Sequence, residues 1–268
     1  MHFVKTGAGS IHVSDQGPKD GEVVVFANSL GTDFRVWDKI VALMPAGLRI
    51  VRYDKRGHGL SDCPPRGTWG MGDHVADAAA VMEALGTKDA VFVGLSIGGM
   101  IAQGLAAERP ELVRGMVLCD TAAKISSPEM WDERIEAIEA GGIAALQEAI
   151  LERWFTKAFR EGEAGEFAIW RNMLCRTSLD GYVGSCQAIR DTDLRESTTR
   201  LRIPTLAICG DQDGSTPPDL VRETAAMIPG ATFELIRGAG HIPGVEQPEQ
   251  TATAIRSFLK RIGHGPST

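Results

Sequence analysis

The sequence lacks several things, and each absence removes a class of protein. It holds no run of about eighteen apolar residues, the length that a helix needs to cross a bilayer. Residues 1–9 carry Lys5 but no apolar core, so no secretory leader is expected. Cysteine is scarce, at Cys63, Cys119, Cys175, Cys186 and Cys209 only. An odd set without a Cys-x-x-Cys spacing predicts neither a disulfide framework nor a zinc site. Cys119 and Cys209 fall inside apolar runs and read as buried, inert thiols. Positive charge is also short: 28 Lys and Arg against 35 Asp and Glu leave a net charge of -7. No basic run or stripe is present, so nucleic acid is not an expected partner. Repeats and low-complexity segments are absent as well. What remains is a globular chain of a reducing compartment, most simply the cytoplasm. Its 268 residues suffice for one large domain, or for a domain with an insert.

What is present is an alternation. Val23–Ala27 is apolar, valine-rich and too short for a helix, which predicts a buried strand, and Arg49–Tyr53 predicts another. Helical spacing runs over 73–85 and is closed by Gly86 in a C-cap position. A third strand is predicted at 90–93, a helix from Ile97 to about Glu108 stopped by Pro110, and a fourth strand at Val113–Cys119. The rhythm returns with a strand at 205–209, a helix at 218–227, a strand at Thr232–Ile236 and a helix at 248–262. Such alternation predicts an α/β fold: a mostly parallel sheet covered by helices on both faces.

Between these stretches the pattern changes. Residues 123–197 show no buried strand but helical spacing at 129–139, 143–155 and 163–175. Three of the five tryptophans lie there, with many arginines. The simplest division is a core of 1–122 and 198–268 with a helical cap of 123–197 folded over its end. A cap of this kind walls a pocket and excludes water, whereas helices that merely pad the sheet would not.

Three residues then stand out as chemistry. Gly94-Leu95-Ser96-Ile97-Gly98-Gly99 falls where a strand meets a helix. A serine there sits on a sharp turn, and flanking glycines relieve the clashes of that turn. The helix N-terminus beneath it offers N–H groups to an oxyanion. A hydroxyl needs an adjacent base near pH 7. His241, in the loop after Thr232–Ile236, lies at the same carboxyl edge of the sheet, unlike His2, His12, His74 and His264. Asp211 and Asp213 both follow the strand at 205–209, and both satisfy the order Ser, Asp, His. Asp213 is preferred because it lies further out on the loop and can reach His241, whereas Asp211 is expected to stabilise its own turn.

With these parts assembled, the chain resembles the α/β-hydrolase superfamily over almost its whole length. Asp54-Lys55-Arg56-Gly57-His58-Gly59-Leu60-Ser61 is similar to that superfamily's D-x-R-G-x-G-x-S loop, which implies a structural role for His58. Pro217, four residues beyond Asp213, fits the superfamily's acid segment. The superfamily often carries His-Gly after its third strand, and here Asn28-Ser29-Leu30-Gly31 stands instead. The backbone N–H of Leu30 can serve the oxyanion without the His side chain, with the N–H of Ile97 as the second donor. Together with Cys209–Pro217, Arg153-Trp154-Phe155-Thr156 and 173–177, these segments resemble 3-oxoadipate enol-lactonase.

That resemblance implies opening of 3-oxoadipate enol-lactone to 3-oxoadipate in bacterial breakdown of protocatechuate and catechol. It implies a small-molecule lactone as partner and neither metal nor cofactor. Some relatives fuse a decarboxylase domain, an activity not expected here. The substrate's free carboxylate calls for a local cation, and Lys124, Arg134, Arg153, Arg171, Arg176 and Arg190 are the candidates. Arg134 lies three residues from Trp131, so both can face one pocket, and Trp154 is a second candidate wall. The rival readings are a general carboxylesterase or a carbon–carbon bond hydrolase of ring-cleavage products on the same scaffold. A ligand receptor without catalysis is a further alternative.

Overall fold

A computed structural model of the chain describes residues 2–265. Eight strands form one sheet: β1 (His2–Thr6), β2 (Gly9–Gln16), β3 (Val23–Ala27), β4 (Arg49–Tyr53), β5 (Ala90–Leu95), β6 (Val113–Cys119), β7 (Thr205–Gly210) and β8 (Thr232–Ile236). Their spatial order is β1-β2-β4-β3-β5-β6-β7-β8. β2 pairs antiparallel with β1 and β4, and all other neighbours are parallel. β3 and β5 are buried at every position, as runs covered on both faces must be.

The expected strands and core helices are present, with ends moved by one or two residues. The β1–β2 hairpin was not expected. It is an edge element whose residues are mostly part-exposed, so its alternation is weak. Because β3 leads to β4 on one side and lies beside β5 on the other, the chain reverses its winding direction there. The carboxyl ends of β3, β5, β6, β7 and β8 open into one crevice, where ligands of open α/β sheets bind.

Between β6 and β7 the described chain forms helices and no strand. The first, Pro128–Trp154, is broken at Gly142 (φ 73°), where the sequence separates two helical patterns. Ala164–Cys175 also follows its predicted position. Lys157–Gly162, Leu179–Arg190 and Arg195–Thr198 are additional. Ser127, Thr156 and Ser178 cap three of these helices by accepting from backbone N–H groups, a contribution of about 1 kcal/mol each. No described helix is long and apolar enough to cross a membrane.

Candidate active site

The turn between β5 and the Ile97–Glu108 helix is as tight as its glycines require. Ser96 has φ 57° and ψ -118°, outside the regions favoured by a side-chain-bearing residue, at a cost of about 1–3 kcal/mol. A Cβ at Gly94 would overlap the Gly98 carbonyl, one at Gly98 the Ala27 carbonyl, and one at Gly99 the Thr121 side chain. The helix is thereby drawn against the ends of β3 and β6. The Ser96 N–H donates to the Cys119 carbonyl (2.9 Å), and the Ser96 carbonyl accepts from Thr121 Oγ1 (2.6 Å). The backbone is fixed while the hydroxyl faces a cavity.

His241 lines the same cavity. Its Nδ1 meets Asp213 Oδ2 at 2.9 Å, with both side chains buried. Asp213 Oδ1 accepts from the backbone N–H groups of Ser215 (2.7 Å) and Thr216 (3.1 Å), and Oδ2 accepts from Thr216 Oγ1 (2.7 Å). Burial alone would raise the Asp213 carboxyl. The facing His241, the Thr216 hydroxyl and the Ser215 amide outweigh it and hold the group below the usual carboxylate range. An ionised Asp213 can only accept, so Nδ1 of His241 is the donor in their contact. Asp211 does not simply brace its own turn as expected. Its Oδ1 accepts from Gly238 (2.8 Å) and Ala239 (3.3 Å), so it fastens the loop that carries His241.

Leu30 also lines the cavity, and Ile97 begins the helix under Ser96. Among the described residues, neither backbone N–H donates to a protein acceptor. His58 holds the first of these loops. Its Nδ1 donates to the Arg56 carbonyl (3.1 Å), and its Nε2 accepts from Gly31 N–H (3.0 Å). Burial and the Lys55 charge push His58 well below its ordinary range, so it stays neutral and keeps that tautomer. Asp54 completes the loop by accepting from His12 (2.8 Å), Phe34 (2.8 Å) and Leu60 (3.0 Å).

The cavity has a volume of about 320 Å³. Trp131, Arg134 and Trp154 all line it, and Arg153 joins them. Arg134 Nη2 donates to Tyr182 Oη (2.7 Å), and its guanidinium lies over the Trp131 ring (5.3 Å to centroid). Arg153 Nε donates to the Ala149 carbonyl (3.2 Å). Among the described residues, neither guanidinium is ion-paired, although exposed Glu133 stands at the rim. Burial and the facing Arg134 push Arg153 below its ordinary range. The other cation candidates are elsewhere. Lys124 donates to the Arg190 and Thr192 carbonyls, Arg190 pairs with Asp132 and Asp191, and Arg171 is exposed. Arg176 lines a larger depression of about 670 Å³ that holds none of Ser96, His241, Arg134 and Arg153, and there Arg35 pairs with Asp33 and Lys39 with Glu166.

Sequence reasoning missed the joint between the helical segment and the His241 loop. The His241 N–H donates to the Trp154 carbonyl (2.8 Å), and the Gly214 N–H to the Arg153 carbonyl (3.2 Å). Glu246 Oε2 accepts from Gly240 N–H (2.6 Å), while Oε1 accepts from Thr156 N–H (3.0 Å) and Oγ1 (2.7 Å). No local motif marks Glu246, because its partner Thr156 lies far away in sequence. Among the described residues, one set of side chains has metal-ligand spacing: Asp120, Cys209 and Asp213, with donor atoms within 4.8 Å. Burial keeps the Cys209 thiol protonated, and Asp213 is already taken by His241 and Thr216, so the set is poorly suited to a metal.

Comparison with known proteins agrees with this fold. The profile of the Alpha/beta hydrolase family matches residues 24–254. The chain is 34% identical over 254 residues to 3-oxoadipate enol-lactonase 1 of Acinetobacter baylyi, covering 94% of each chain. It is 31% identical to 3-oxoadipate enol-lactonase 2 of the same organism, covering 92% of this chain and 91% of the relative. The crystal structure of the enol-lactonase from Burkholderia xenovorans LB400 superposes with a TM-score of 0.93 at 33% identity, covering 97% of this chain and 100% of that one. These relatives support a hydrolase acting on a small molecule, and the chain belongs to the alpha/beta hydrolase family.

Proposed function

We propose that this chain hydrolyses 3-oxoadipate enol-lactone to 3-oxoadipate in bacterial aromatic catabolism. Ser96 is the nucleophile, His241 the general base, and Asp213 the carboxylate that orients it. The observation that carries the reading is the composition of one cavity: Ser96 and the His241–Asp213 pair on one side, two unpaired guanidiniums on the other. A carboxylate-bearing ester fits both sides. The enol-lactonase relatives support the same substrate class.

In this reading Ser96 Oγ adds to the lactone carbonyl as Nε2 of His241 takes its proton, and Asp213 stabilises the imidazolium. The N–H groups of Leu30 and Ile97 hold the oxyanion, at about 3 kcal/mol per donor. Collapse breaks the ring C–O bond and expels an enolate. The enolate gains the proton held by His241 and tautomerises to the ketone, which draws the reaction forward. Water then adds to the acyl-enzyme with His241 as base, and Ser96 recovers its proton as the second carboxylate leaves. Residues 123–197 act as the lid over the core of 1–122 and 198–268. Arg134 holds the substrate carboxylate between Trp131 and Trp154, and the enzyme works in the cytoplasm.

The test is turnover of freshly generated 3-oxoadipate enol-lactone beside a p-nitrophenyl ester, by wild type and Ser96→Ala. Lactone turnover far above ester turnover is expected, with kcat lost on the order of 10⁶-fold in Ser96→Ala. Ester turnover alone would discard the lactone assignment and leave a general carboxylesterase. Undiminished turnover in Ser96→Ala would discard the nucleophile.

A further inference from the structure

A second carboxyl stands behind Asp213. Asp120 follows β6 directly, and its backbone is in the left-handed region (φ 45°), which turns the side chain toward the end of β7. The residue has no solvent exposure. Its Oδ1 accepts from the Gly210 N–H (2.9 Å), and its Oδ2 is buried without a hydrogen-bond partner among the described residues. Its donor atom lies within 4.8 Å of those of both Asp213 and Cys209.

The surroundings decide its charge. The groups that face it are Asp213 on the loop after β7, with His241 beyond, and the Cys209 thiol on β7. Cys119 precedes it on β6. From the Pro218–Ala226 helix, which packs over β7, Arg222 is engaged with the Phe233 ring (4.4 Å) and Asp219 (3.5 Å). His241 Nδ1 meets Asp213 at 2.9 Å, and among the described residues no salt bridge reaches Asp120. Two buried carboxyls with oxygens within 4.8 Å oppose each other's ionisation. Burial first, and the Asp213 charge second, push the Asp120 carboxyl well above the usual carboxylate range.

We propose that Asp120 is a positioning residue: a neutral carboxylic acid whose Oδ2–H donates a hydrogen bond to the Asp213 carboxylate. The proton gives Oδ2 a partner and gives Asp213 a further donor. That donor holds the carboxylate in the orientation that meets Nδ1 of His241. The proposal rests on Asp213 being the orienting acid.

The predictions separate a neutral donor from a charge. In Asp120→Asn the amide oxygen accepts from Gly210 and the NH2 group donates to Asp213, so kcat should stay within about twofold of wild type. In Asp120→Ala the donor is lost, and kcat should fall by about 10- to 100-fold, the weight of a hydrogen bond to a charged group. Equal losses in the two variants would overturn the positioning role.

The second readout is the melting temperature of wild type and Asp120→Asn from pH 4 to pH 8. A carboxyl whose folded pKa is raised takes up a proton on folding, so its stability contribution is lost as pH rises from the unfolded value toward the folded one. Asparagine has no such linkage. The Asn variant should therefore gain on wild type as pH rises. A difference that stays flat or narrows would mean that Asp120 is ionised in the fold, and the proposal fails. This readout involves no substrate, so it can fail while the lactone assignment stands, and the reverse.

Discussion

On the sheet side of the cavity, Asp213 uses both oxygens on fixed donors and His241 on a fixed acceptor. On the helical side, among the described residues, the Arg134 and Arg153 side chains have partners only in a phenol, aromatic rings and a carbonyl. The contrast divides the labour. A satisfied hydrogen-bond network holds reacting groups at one geometry. A pair of guanidiniums without counter-ions leaves charge available to whatever enters. On the proposed function, the sheet edge carries the chemistry and the helical segment chooses which ester is admitted.

The largest effect expected on the sheet side comes from Asp213→Asn. It retains the shape but favours the wrong His241 tautomer, and kcat should drop by about 10⁴-fold for lactone and ester alike. A loss confined to the lactone would blur the division. A smaller effect is expected where the two sides join. In Glu246→Gln one acceptor oxygen becomes an amide that faces the Gly240 N–H or Thr156. The joint should lose about 1–3 kcal/mol, read as a lower melting temperature, with a few-fold fall in kcat/KM. Unchanged melting would mean that the other bridges, Trp154 to His241 and Arg153 to Gly214, suffice.

The smallest effect on activity is expected at His74, which touches neither side. Both ring nitrogens are buried without partners among the described residues, and burial with the Arg56 charge pushes the group well below its ordinary value of 6.5. The unfolded chain takes up a proton below that value and the folded chain does not. Stability is therefore lost as pH falls, by about 1.4 kcal/mol per pH unit for this group. His74→Leu should flatten the dependence of melting temperature on pH between 7 and 5 while turnover stays unchanged. An unaltered slope would place the acid sensitivity in other depressed groups, among them His58 and His264.

The sheet side was largely legible in the sequence because its signals are local. β3 and β5 are continuous apolar runs, β6 is broken only by Arg114, and Gly94, Ser96 and Gly98 lie within one turn. The helical side was less so. Leu179–Arg190 contains Gly181 and Gly184, poor helix formers that obscure the pattern. Their reason is tertiary: a Cβ at Gly181 would overlap the Gly57 carbonyl, and one at Gly184 the Trp69 ring. Arg134 was legible from its spacing to Trp131. Arg153 stood only among many cations, because nothing near it in sequence shows that it faces Arg134. Glu246 and the Asp120–Asp213 contact were hidden for the same reason, since each depends on pairing between distant loops.

The division of labour is tested most directly by one ratio: kcat/KM for 3-oxoadipate enol-lactone over that for a neutral p-nitrophenyl ester, in wild type and Arg134→Ala. The account predicts that KM for the lactone rises about tenfold or more, the cost of a lost charge-assisted bond, while the ester is unaffected and the ratio falls. Equal losses on both substrates, with the ratio unchanged, would contradict it and make Arg134 a structural residue of the cavity wall.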